Sequence, residues 1–382
     1  MDFRLTPRQR ELQDRAREAV ERVVAPVASG VLPGQKLTPD QLRGIYAGLR
    51  PLGYLGSTVP ESAGGAGMTN VDYGLLLEAL AHGPVLLGEV VLPRLVHRLG
   101  NADQQRRWLG PLLAGDWIST SAITEPQAGS DVRGIRTAIV RAADGLRLRG
   151  RKKWIKLGGV SDLMAVLIVT DPERGAAAGT SRIVVERARS PWQAVEVEGV
   201  GMRNLSWAEI IFDDVPVDAG NLLGSPGEGT EAFYRGIEAS RAFVAIEAVG
   251  IADHALSIAK AYVRERSAFG RPLAKFQDIQ GRLADAAAEL DAARLLSLRA
   301  LALLDAGERC PLEASMAKAY ATEAAVRVCG DAMDCMGAHG LSQEAGVEEC
   351  WRTARMLTVI DGTSAIQRLI VGRELLGEAA FV

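Results

Sequence analysis

The chain reads as an α+β protein with helices first, a block of strands second and helices again. Two observations predict this. Apolar residues recur at three-to-four spacing up to about residue 117 and again after Gly229, whereas between 118 and 217 the pattern shortens to β-type alternation and apolar runs. The two periods occupy separate stretches and do not alternate, which argues against a parallel βαβ sheet. The expected units are an N-terminal helical domain over 1–117, a middle β domain over 118–223 and a C-terminal helical bundle over 224–382. A chain of 382 residues has room for two or three such units.

Each element has a local reason. Thr6-Pro7 sets a capping hydroxyl ahead of a proline at the first helical position, and Leu12, Ala16, Ala19 and Val23 then mark one face. Thr38-Pro39-Asp40 repeats the signal before Leu42, Ile45 and Leu49, and further helical stretches are predicted over 71–81 and 104–113. Leu146-Arg147-Leu148-Arg149 alternates behind the turn residues Asp144-Gly145, 164–170 and 183–185 are β-rich apolar runs, and 209–212 ends at the polar turn Asp213-Asp214. Helical blocks then cover 230–265, 275–305, 312–336 and 347–376, and their short connections predict an antiparallel four-helix bundle. The glycine-rich pieces at 64–67 and 224–229 read as connections.

Composition narrows the function. With 48% apolar and 24% charged residues the chain has the balance of a soluble protein, and its net charge of -3 and 5% aromatics argue against nucleic-acid binding. No run approaches the roughly 18 apolar residues of a membrane helix, so no membrane span is expected. Met1-Asp2-Phe3-Arg4 does not open a signal peptide, and the expected compartment is the cytoplasm. Cys310, Cys329, Cys335 and Cys350 form no CxxC pair and read as reduced core residues; His82, His97, His254 and His339 show no ligand spacing, and no metal site is expected.

Four clusters carry possible chemistry. Thr124-Glu125-Pro126-Gln127-Ala128-Gly129-Ser130-Asp131 offers hydroxyls, acids and a glycine that lets backbone approach a ligand, though a plain surface loop has the same composition. Lys152-Lys153-Trp154-Ile155-Lys156 sets a large flat side chain beside cations, as a strand end with a core tryptophan also would. Ile360-Asp361-Gly362-Thr363 interrupts an apolar pattern with a carboxylate whose desolvation would suit a general base, and a helix-capping aspartate fits equally well. Glu247 lies inside the apolar stretch 243–251, where a structural acid is favoured over a second base. No Walker loop, dinucleotide fingerprint or nucleophile elbow is present.

In order and at these separations, the motifs resemble the acyl-CoA dehydrogenase family of flavoproteins over essentially the whole chain. The most specific pieces are Thr124-Glu125-Pro126 with Ala128-Gly129-Ser130-Asp131, Lys153-Trp154-Ile155, Gly201-Met202-Arg203, Glu265-Arg266 with Phe269-Gly270, and Gly362-Thr363 with Ile366-Gln367. The resemblance implies an N-terminal helical domain, a middle β-barrel or sandwich and a C-terminal four-helix bundle, with FAD at their junction and usually a homotetramer, or a dimer. Ile123, Thr124 and Ser130 would line the flavin and the thioester, and Trp154 would pack on the isoalloxazine ring. Arg266, Phe269 and Gln277 would reach the adenosine diphosphate part of FAD from a neighbouring subunit, with Gly337, Gly340, Gly362 and Thr363 among the cofactor contacts. Glu238, Ser240 and Arg241 would lie along the substrate arm. The implied reaction removes a proton from Cα and a hydride from Cβ of an acyl thioester carried on coenzyme A or an acyl-carrier protein. Electrons would pass to an electron-transfer flavoprotein or to oxygen.

Two departures bear on mechanism. The family's base is most often a glutamate just before Gly-Thr; here Asp361 stands there, withdrawing the carboxylate by roughly 1.5 Å. Where the family has a hydroxyl donor towards flavin N5, this chain has Lys156, which either points at the ring or into solvent. The leading expectation is a flavin-dependent acyl-thioester dehydrogenase with Asp361 as base. A flavin oxidase or monooxygenase of nitroalkane-oxidase type, and a non-catalytic flavin-binding subunit, are the alternatives.

Overall fold

The computed structural model describes residues 4–32 and 34–380. Helices α1 (Pro7–Ala19), α2 (Ala25–Ser29), α3 (Pro39–Leu49), α4 (Asn70–Leu80), α5 (Val91–Leu99) and α6 (Ala102–Ala114) come first. The expected caps are in place: the Gln9 and Gln41 N–H groups donate to the Thr6 and Thr38 hydroxyls, and each glutamine side chain accepts the cap's own N–H. Helix α5 was not foreseen, because no capping side chain precedes it.

The middle region is one eight-stranded sheet: β1 (Ser119–Ala122), β2 (Ala138–Ala142), β3 (Gly145–Lys156), β4 (Leu163–Val169), β5 (Thr180–Glu186), β6 (Gln193–Glu196), β7 (Trp207–Val217) and β8 (Leu222–Leu223). They pair in the order β6-β7-β3-β2-β4-β5-β8, with β1 beside β4. Leu148 and Ile155 from β3, Met164 and Val166 from β4, Ile183 from β5 and Phe212 from β7 share one apolar interior, so the sheet curls over itself. The outer face of β4 and β5, through Leu163, Ala165 and Val184, packs on Leu95 of α5 and Trp108 of α6. Strand β5 is consequently buried on both faces along its length.

The remaining helices are the single turn α7 (Gly175–Ala178), then α8 (Gly229–Glu265), α9 (Gln277–Asp305), α10 (Pro311–Met336), α11 (Val347–Leu357) and α12 (Ser364–Leu376). The block expected over 347–376 is therefore two helices. Asp361 and Gly362 adopt φ values of +54° and +98°, which no helix continues, and the Thr363 hydroxyl caps the restart by accepting the Ile366 N–H. The expectation that no segment suits a membrane also needs correction. Helix α8 is long and apolar enough by length and composition, but 78% of its apolar window is buried inside the fold. Its burial has an evident cause: the N-terminal helices and the bundle share one core, with Tyr73 of α4 set edge-on to Phe243 of α8 at 5.1 Å. At Gly250 the two helices approach so closely that a Cβ would collide with the Glu78 carbonyl.

Candidate active site

Where helices and sheet meet there is a cleft of about 1860 Å³. The loop after β1 forms one wall and is held by a buried ion pair: Lys152 Nζ lies 2.8 Å from Glu125 Oε1 and donates to the Ile123 carbonyl at 2.8 Å. Glu125 also accepts the Arg136 and Thr137 N–H groups at 2.7 and 3.0 Å. Burial alone would raise the Glu125 carboxyl, but Lys152 and these donors hold it below the ordinary value; burial brings Lys152 down to about 8. The pair fixes Ile123 and Thr124 at the cleft edge, and among the described residues the Thr124 hydroxyl meets no partner.

Trp154 occupies a bulge in β3, where the register with β7 shifts between Lys152 and Ile155. Its φ is +64°, the residue is 52% exposed on the cleft lining, and Lys153 Nζ lies 5.1 Å from its ring centre. A strained backbone that presents a half-exposed indole to a pocket is a positioning device, not a core anchor. Lys156 points neither at solvent nor freely into the cleft: its Nζ donates to the Leu87 carbonyl at 2.8 Å.

Asp361 lies half-buried on the lining of the same cleft. Its turn is gripped from behind: Lys318 Nζ, fully buried, donates to the Gly362 carbonyl at 2.8 Å, and Gln367 Nε2 donates to the Asp361 and Gly362 carbonyls at 3.0 and 2.9 Å. Arg241 Nε reaches the Asp361 carbonyl at 3.3 Å. Burial pushes the Asp361 carboxyl up to about 6, aided by the charge of Glu89 and opposed by Lys318, Arg241 and Lys156. Among the described residues, the Asp361 and Gly362 N–H groups have no acceptor within the chain.

Deeper along α8, Glu247 is 3% exposed and its Oε1 has no hydrogen-bond partner. Burial pushes it up to about 8, against the pull of Lys156 and with repulsion from Glu89 and Asp361. Glu238 lines the cleft, yet its carboxylate is occupied: Arg309 Nε donates to it at 2.8 Å and the Cys310 N–H at 3.0 Å. Ser240 lines the same wall, and Ser130 lies exposed at the rim.

The cleft thus gathers most of the sequence-predicted residues, from Ile123 to Thr363. Arg266, Phe269, Gln277, Gly337 and Gly340 lie outside it; of these Phe269 is 93% exposed and Gly340 is buried. Sequence reasoning missed Lys318, the Glu89–Arg94 ion pair and the Lys152–Glu125 pair. Lys318 and Lys152 find their partners 44 and 27 residues away, and only Lys152, a mid-strand lysine in a run of three basic residues, gave a local hint.

A three-part helix–sheet–helix fold with an aspartate and a half-exposed tryptophan on one cleft is the arrangement of an oxidoreductase of the acyl-CoA dehydrogenase class. Family models agree throughout: the acyl-CoA dehydrogenase N-terminal domain matches residues 6–116, the middle domain 120–215 and the C-terminal domain 227–376. The probable acyl-CoA dehydrogenase YngJ of Bacillus subtilis is 33% identical over 98% of this chain and 100% of its own length. The butyryl-CoA dehydrogenase structure from Megasphaera elsdenii superposes with a TM-score of 0.91 at 30% identity, over 98% of this chain and 100% of that one. The prolyl acyl carrier protein oxidase AnaB gives 0.88 at 25% identity, over 98% and 100%. The chain belongs to the acyl-CoA dehydrogenase family, FAD-dependent oxidoreductases that act on CH–CH groups.

The residues present fit a flavin. The half-bare indole of Trp154, the unpartnered Thr124 hydroxyl and the breadth of the cleft together form a cradle that the protein's own side chains leave open.

Proposed function

We propose that this protein dehydrogenates an acyl thioester with Asp361 as the base. Thr124 and Ile123 would hold FAD with Trp154 against its ring, and Gly362 and Thr363 would border it. Bound there, FAD would supply the acceptor for the hydride that leaves Cβ, while the electrons of the broken Cα–H bond become the new Cα–Cβ π bond. The chain's own part is the α-proton and the charge it leaves behind. Asp361 takes the proton at its carboxylate. The free Asp361 and Gly362 N–H groups are donors available to the thioester oxygen, where negative charge accumulates. Lys318, Gln367 and Arg241 lock the turn so that carboxylate and donors keep their relative positions.

The observation that carries this reading is the Asp361 carboxyl in an anchored, non-helical turn on the same cleft as Trp154, where burial raises it to about 6. The shorter side chain is compatible with the role because the turn itself projects it into the cleft. The test is anaerobic addition of acyl thioesters to the yellow protein. One class of thioester should bleach the wild type, while Asp361→Asn keeps its colour and bleaches about 10²–10⁴-fold more slowly. Undiminished bleaching by the variant would refute the assignment of the base. Repeating the addition in air separates a dehydrogenase from an oxidase, since only the latter releases hydrogen peroxide. The oxidase reading draws support from the likeness to AnaB.

A further inference from the structure

Two neighbouring arginines lie against one face of the first turns of α8, and the described residues supply neither with a carboxylate counter-ion. Arg182 is 5% exposed, sits on the helix-covered face of β5, and its Nε–H has no acceptor. Its guanidinium carbon lies 6.0 Å from the ring centre of Phe233. Arg98, on α5, comes within 3.2 Å of the position a Cβ on Gly236 would take, so that glycine leaves the space it occupies. The neighbouring Arg94 and Arg235 are paired with Glu89 and Glu231, whereas among the described residues Arg182 and Arg98 have no carboxylate in ion-pair reach. Both line the reaction cleft. Burial and the charge of Arg98 bring Arg182 down to about 10, which leaves it protonated near neutrality. A buried cation without a partner is destabilising unless something else supplies the negative charge.

The position says what that is. Phe233 and Gly236 precede Arg241 by eight and five residues, roughly 12 and 7.5 Å along the helix axis. Farther along the helix, around Glu247, lie the acids Glu89 and Asp361, and Arg94 there is already paired with Glu89. We propose that Arg182, assisted by Arg98, binds the phosphate of the substrate's phosphopantetheine arm. The inference rests on the thioester reading above. Guanidinium groups suit the task because their planar donors match phosphate oxygens. That phosphate is common to free coenzyme A and to a carrier domain.

Binding to the flavin-loaded protein can be measured calorimetrically for pantetheine, 4'-phosphopantetheine, coenzyme A and a phosphopantetheinylated carrier domain. Wild type should bind 4'-phosphopantetheine at least about tenfold more tightly than pantetheine, and Arg182→Met should erase that difference. The tighter of the coenzyme A and carrier arms identifies the source of the phosphate. Equal binding of the two pantetheines by wild type, or an undiminished preference in the variant, overturns the clamp while leaving the thioester reading intact. If no arm-bearing compound binds, both fall. Ligand-free Arg182→Met should unfold no earlier than wild type; earlier unfolding would assign Arg182 to packing on Phe233 and overturn the proposal.

Discussion

Asp361 and Glu247 are carboxyls of one cleft, yet burial separates their titrations. Asp361 is raised to about 6, so the rate should climb as pH rises through that value and the carboxylate forms. Lys156 helps to hold it there, so Lys156→Met should move the acid limb of the pH–rate profile to higher pH. An unmoved limb would mean that Lys156 has no electrostatic part in the site. Glu247, at about 8, is neutral through most of the useful range. Its folded value lies above its ordinary 4.5, so the stability it confers is complete below 4.5 and is lost as pH rises through about 8. Glu247→Gln should therefore show a melting temperature that gains on wild type as pH rises across that window. A gap that does not change with pH would contradict the assignment.

Among elements, the loop after β1 and the turn before α12 do most to shape the cleft. The first depends on Lys152. Replacing it with methionine leaves Glu125 buried without its cation and should cost about 3–5 kcal/mol, read as a lower denaturation midpoint, with much of the loss recovered in Lys152→Met/Glu125→Gln. The second depends on Gly362. A Cβ there would meet Gln367 Nε2 at 2.7 Å, at a φ that L-residues rarely adopt, so Gly362→Ala should impair catalysis by displacing Asp361 as well as lowering stability. The sequence showed these elements unevenly. Thr6-Pro7 and Thr38-Pro39 announced their helices because a cap is a local feature. The break at 358–363 was visible only as an apolar pattern interrupted by Asp-Gly, too short to separate a kink from two helices. Arg182 was invisible for the opposite reason: in Ser181-Arg182-Ile183 alternation assigns the arginine to solvent, but α5 and α6 cover that face of the strand.

At the scale of the whole molecule, segregated helical and strand periods sufficed to read the class of fold, since each period reflects which faces an element buries. They did not reveal that both helical regions share one core, which depends on contacts such as Tyr73 with Phe243, far apart in the chain. Arg266, Phe269 and Gln277 stand outside the cleft on the surface, and a bare phenylalanine there invites a second subunit. Light scattering should therefore report a mass that is a multiple of 40.7 kDa, and Phe269→Asp should reduce both assembly and retention of the yellow colour. A monomeric wild type that holds its flavin would refute this.

Which group removes the α-proton decides the chemistry of this cleft. In deuterated buffer, nuclear magnetic resonance can follow exchange at Cα of a thioester that the yellow protein bleaches. Wild type and Glu247→Gln should both exchange the proton, and Asp361→Asn should not. Exchange by Asp361→Asn at the wild-type rate, or its loss in Glu247→Gln alone, would place the base elsewhere.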